Sequence, residues 1–169
     1  MRLIHGTRKI VCIGVIFLTA VLLSADITIN LTPAEVGGWS FGIDAGDLEA
    51  GAGSDLSAEY ESDATAEYID IQGCSGSSDT WEVSIKRTDD VWDTDITLQA
   101  KVSSKGNGSG SFSGAGVYKT VSATDTVLFS GSGDRSDIAI QFKISGISIT
   151  TVPDKDYATD ITYTVVNTQ

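Results

Sequence analysis

Apolar side chains fall on every second residue through most of this chain. Trp81, Val83 and Ile85 do so in TWEVSIK, and Ile96, Leu98, Ala100 and Val102 in DITLQAKV. Ile138, Ile140, Phe142 and Ile144 repeat the pattern, and Ile147 and Ile149 carry it on towards Pro153. A period of two places one set of side chains on a single face of a pleated strand, so each run can bury one face and wet the other. Shorter runs fit the same template: Ile27, Ile29 and Leu31; Trp39, Phe41 and Ile43; a strand over Leu56–Glu61; Ile69 and Ile71; Val127 and Phe129. The last strand presents Tyr157, Ile161, Tyr163 and Val165. No helical stripe interrupts them. The pattern predicts an all-β fold: a single antiparallel β-sandwich, Ig-like or jelly-roll, of about nine or ten strands.

The joints between strands are equally marked. Gly146 separates two alternating runs and reads as a bend or bulge. Ala45–Ser54 is glycine-rich and acidic, a loop by composition. Ser103–Gly116 (SSKGNGSGSFSGAG) is nearly low-complexity. Its small residues are expected to form a flexible loop that packs poorly.

The first 25 residues do not belong to this pattern. Arg2, Arg8 and Lys9 precede an apolar run from Ile10 to Leu23, and the small residues Ser24 and Ala25 stand before Asp26. That is the layout of a secretory signal peptide, with a run short for a membrane span. The expected division is therefore a signal peptide at 1–25 and one sandwich domain at 26–169, in an extracytoplasmic location. No membrane contact is expected beyond the signal.

Charge and catalysis follow from that division. The chain has 11 basic and 23 acidic residues; three of the basic and none of the acidic lie in the signal, leaving a formal −15 on the remainder. A surface this acidic repels nucleic acid and anionic lipid. The only histidine, His5, also lies in the signal. The domain thus has no imidazole for a Ser–His or Cys–His nucleophile or for a histidine-ligated zinc. Cys74 is left alone in GCSG, to link chains, stay a free thiol or pack as a small apolar side chain. Glu59, Glu61 and Glu67 are carboxylates of the kind that cleave glycosidic bonds, but no pair is set apart by sequence. No enzyme activity is expected.

Two acid clusters remain as binding candidates. DDVWDTD brings Asp89, Asp90, Asp93 and Asp95 into one turn, the oxygen-rich setting that calcium requires. The commoner reading is a solvated turn, so no cofactor is expected apart from calcium at this place. GSGDRSD offers Asp134 and Asp137. Trp92 stands inside the first cluster and is the tryptophan expected at the surface, where it could stack on a sugar ring; Trp39 and Trp81 are in phase with core positions. Asn30 and Asn107 lie in NLT and NGS triplets of the glycosylation type.

The segment Asp26–Thr32 is the cleanest alternating strand nearest the expected cleavage point. Its Ile27, Ile29 and Leu31 read either as the first strand of the sandwich or as a donor strand for a neighbouring subunit's sheet.

From about Tyr68 to Val166 the chain carries GSSDTWEVSIK, a glycine-rich middle, IQFKISG, Pro153 and a closing DYATDITYTVV. This layout resembles the WxL family of cell-wall-associated proteins, and pilus and spore-coat-U-like subunits. The Trp-x-Leu pairs are replaced by Trp39-Ser40-Phe41 and Trp81-Glu82-Val83. The resemblance implies a surface location and a structural or adhesive role, such as a subunit of a filament, pilus or outer layer, or an adhesin. The expected partners are other copies of the chain or other surface proteins. The alternative is a carbohydrate- or cell-wall-binding sandwich module, with polysaccharide as partner.

Overall fold

The computed structural model describes residues 8–10, 27–33, 38–43, 47–50, 54–88, 92–148 and 157–169. The strands are β1 (Arg8–Ile10), β2 (Thr28–Pro33), β3 (Phe41–Ile43), β4 (Glu59–Glu61), β5 (Glu67–Gln72) and β6 (Thr80–Arg87). They continue with β7 (Thr97–Ser104), β8 (Phe112–Ser113), β9 (Lys119–Thr120), β10 (Thr126–Ser132), β11 (Arg135–Ser145) and β12 (Ile161–Asn167). No helix occurs among the described residues beyond a single 3-10 position. The fold is a β-sandwich of two antiparallel sheets.

One sheet runs β12-β6-β10-β8; the other runs β2-β5-β11-β7-β9, with β4 beside β11 where β5 has ended. From β5 to β12 every connection passes from one sheet to the other. The chain doubles back about β8, so that β5 pairs β11, β6 pairs β10 and β7 pairs β9. The folded ribbon then wraps, adding the pairs β7–β11, β6–β12 and β8–β10. This is winding of the jelly-roll kind, the second of the two forms expected. β1 and β3 form a separate two-stranded ladder. The remainder of the expected signal segment lies outside the described residues.

The alternating residues face each other across the sandwich. Val83 and Ile85 of β6, Leu98, Ala100 and Val102 of β7, and Ile138, Ile140, Phe142 and Ile144 of β11 are fully buried. Trp81, Phe112 and Phe129 form an aromatic group with centroids 5.4–6.3 Å apart. The Trp81 indole N–H donates to the Gly133 carbonyl at 2.9 Å, which satisfies its one polar atom inside the core. Trp39 is half-buried and stacks on Phe142.

Three local differences from strict alternation have physical causes. A bulge between Val127 and Phe129 turns Leu128 and Phe129 both inward and leaves Val127 39% exposed. A second bulge lies between Arg135 and Ile138, where Asp137 adopts a left-handed φ of 57°. Gly146 has φ 83°, and a Cβ there would meet the Asp95 carbonyl; the expected bend is real and ends β11 at Ser145. Ile147 is buried, but Ile149 lies outside the described residues.

The stretch expected to be too small-residued to pack is in fact packed. Gly106, Gly108 and Gly110 lie against the backbone of Ser136, Asp134 and Ser132, and a Cβ at any of the three would collide. Asn107 and Ser136 exchange backbone hydrogen bonds of 2.7 and 2.9 Å. The guanidinium of Arg135 donates to the carbonyls of Lys105 (3.2 Å) and Gly110 (2.8 Å) and lies over Phe112. Small size is what admits the segment, as a strap across the β10–β11 hairpin.

Candidate functional site

The first acid cluster is only partly described: Asp89 and Asp90 lie outside the described residues. Asp93 acts as a turn cap. Its carboxylate accepts the Asp95 N–H at 3.0 Å and the Tyr157 hydroxyl at 3.3 Å, and its carbonyl accepts the Ile96 N–H. Asp95 is exposed. Among the described residues no three acid, histidine or cysteine side chains converge as a metal site would require. Trp92 is half-buried and packs against the core rather than standing free. Its indole N–H donates to the Ile96 carbonyl at 2.7 Å, and the Arg87 guanidinium lies 4.8 Å from its ring.

The second cluster is drawn into the scaffold. Asp134 accepts the Cys74 N–H at 2.8 Å. Asp137 sits at the bulge, accepts from Asn107 and Ser136, and gives its own N–H to Asp70 at 2.8 Å. Cys74 is a free, half-exposed thiol packed against the core. Burial, with Asp134 adding to it, pushes its pKa up to about 11, so little thiolate forms at neutral pH.

The three glutamates separate into two environments. Glu59 and Glu61 project from β4 on the outer face of the six-stranded sheet, with Tyr60 between them turned to the core. Glu59 pairs with Lys143 at 2.9 Å. Gln141 donates to Glu61 at 3.3 Å and to the Ser62 carbonyl at 2.8 Å. Tyr118 lies over this face, its ring centroid 4.3 Å from the Lys101 ammonium and 4.6 Å from that of Lys143. Burial raises its phenol well above the ordinary range, and the Glu61 and Glu59 carboxylates add to this. No local pattern marks this grouping, because Tyr118 sits in no alternating run and its lysines come from β7 and β11.

Glu67 points the other way. It shares the inward face of β5 with Ile69 and Ile71 and is 4% exposed. The Tyr163 hydroxyl, reaching from β12 of the opposite sheet, donates to it at 2.7 Å. Burial pushes its pKa up to about 7, against the lowering effect of that hydrogen bond. Period-two phase alone could have placed it: Glu67 is in register with Ile69 and Ile71 along the strand.

The candidate assembly strand is the outermost strand of the six-stranded sheet. β2 pairs with β5 from Thr28↔Gln72 to Pro33↔Glu67, so in this chain it completes its own sheet. Ile27 and Ile29 are buried, Leu31 is half-buried against the core, and Thr28, Asn30 and Thr32 face outward.

Comparison of the chain with family models, curated proteins and solved structures finds no match. What fold and site define is the class: an all-β sandwich with an N-proximal edge strand and a polar, aromatic outer sheet face.

Proposed function

We propose that this protein is a non-enzymatic extracytoplasmic structural or adhesive subunit that assembles by exchanging its N-terminal strand between copies. The observation that carries the reading is the placement of β2. It is hydrogen-bonded in its sheet to β5, it stands at the sheet edge among the described residues, and Ile29 within it and Ile27 just before it are buried in the core. A strand held in this way can be supplied by another copy with the same contacts, at little cost in enthalpy. Removal of the export segment would make β2 the first element of the domain. The strong negative charge suits an exported, soluble subunit.

A second reading, carbohydrate or cell-wall binding, is favoured by the Tyr118 face. There an aromatic ring, two lysines, two carboxylates and an amide lie together on the outer face of one sheet.

Deleting residues 27–33 is a poor test, since losing the two buried isoleucines Ile27 and Ile29 would cost roughly 2–5 kcal/mol each. A lock is cleaner. Thr28 and Gln72 are register partners on the outer face. Thr28→Cys with Gln72→Cys, in a Cys74→Ser background, would tether β2 to its own sheet. Protein oxidised while dilute and monomeric should stay monomeric when concentrated, and the reduced protein should form large assemblies, both read by negative-stain microscopy and size-exclusion chromatography. Assembly of the internally bridged monomer would sink strand exchange. A protein that is monomeric throughout but retained on a polysaccharide column would favour the second reading.

A further inference from the structure

We infer that the buried Glu67–Tyr163 contact is a proton-operated latch on the N-terminal strand, holding β2 in its own sheet when protonated and loosening it when ionised. The inference rests on the strand-exchange reading and adds its regulation.

The geometry places one titratable pair where two structural dependencies meet. Glu67 lies on β5, directly opposite Pro33 at the end of β2 and, on its other side, opposite Ile140 of β11. Tyr163 belongs to β12, an edge strand of the other sheet, and its hydroxyl bridges the gap to Glu67 at 2.7 Å. The contact therefore ties the two sheets together beside the two edge strands, β2 and β12.

Tyr163 is the titratable group that faces Glu67. β2 carries no ionisable side chain. On β11, Arg135 is engaged with the Lys105 and Gly110 carbonyls, Asp137 with Asn107 and Ser136, and Lys143 with Glu59. On β6, Lys86 meets Asp125 and Arg87 meets the Val121 carbonyl, while Glu82 is half-exposed on the outward face. On β5 itself, Asp70 faces outward to the Asp137 N–H. No cation is therefore placed to balance a carboxylate at Glu67 among the described residues.

A charge in that position has one hydrogen bond from a phenol and apolar surroundings otherwise, a costly arrangement. Burial already moves the group to about 7, into the range where small changes of pH ionise it. The strain is relieved most cheaply by parting the sheets at their edge. Among the described residues β2 is the strand adjoining Glu67 that is hydrogen-bonded on one side in its sheet, so it is the element that opens.

Hydrogen exchange resolved by strand, on dilute protein kept monomeric, tests this. After correction for intrinsic exchange, protection of the β2 amides should fall by up to about tenfold per pH unit between pH 5 and 7, then level off. The amides of β6 and β11 should keep their protection. Glu67→Gln should make β2 protection independent of pH. Tyr163→Phe should extend the fall to higher pH before it levels off, because the lost hydrogen bond had favoured the ionised carboxylate. A Glu67→Gln protein that retains the fall, or a wild-type β2 protected throughout, overturns the latch. Because the reading is taken on monomers, a latch that works in a protein that never assembles refutes strand exchange alone.

Discussion

Glu67 shows how far a single residue's meaning depends on what lies across from it. In the chain it is one of several glutamates; in the sandwich it is the acid placed between the sheets, bonded to Tyr163. A carboxyl raised to about 7 keeps its proton in the native state while the unfolded chain loses it near 4.5. Stability therefore falls as pH rises from about 4.5 to 7 and is flat above, at about 1.4 kcal/mol per pH unit. Glu67→Gln should match the wild type near pH 4.5 and exceed it at pH 8 by up to about 3 kcal/mol, read from urea midpoints at the two pH values. An equal difference at both pH values would contradict the buried, proton-holding carboxyl. Trp92 makes the opposite point: its acidic neighbours suggested exposure, yet its ring lies half-buried beside Arg87. Neighbours in sequence do not reveal which side of a turn a side chain takes.

Elements with alternating apolar residues were legible because the signal is local. β5, β6, β7, β11 and β12 follow their phase, and even the bend at Gly146 was marked. The strap from Gly106 to Gly110 was not, since low complexity looks the same whether a segment is solvated or pressed against backbone. Its glycines at every second position are the signal that could have found it. Each faces the β10–β11 hairpin, where a methyl group would meet a carbonyl oxygen or its neighbours. Gly106→Ala and Gly110→Ala should each destabilise the domain by roughly 1–3 kcal/mol in thermal or urea unfolding. Gly76 has open space around its missing Cβ, and Gly76→Ala should stay within about 0.5 kcal/mol of the wild type. Equal losses at all three positions would mean that the strap does not depend on close packing.

At the scale of the whole molecule, winding governs behaviour. Every connection from β5 onward crosses between sheets, and β2 meets β5 while β12 meets β6, far along the chain. Contacts so distant in sequence must close large loops before they are rewarded, which predicts folding in the millisecond-to-second range. Stopped-flow fluorescence, reporting burial of Trp39, Trp81 and Trp92, would measure it; microsecond folding would contradict the wrapped-ribbon topology. The sequence by itself determined the all-β class, the inward phase of most strands and the absence of histidine chemistry beyond residue 25, because periodicity and composition are properties of the chain alone. Tertiary structure decided which strands are neighbours, that β2 stands at a sheet edge, that Glu67 meets Tyr163, and that Tyr118 joins Lys101 and Lys143. Those relations join residues tens of positions apart, and strand pairing across a sandwich is set by how the ribbon wraps, which no local pattern encodes.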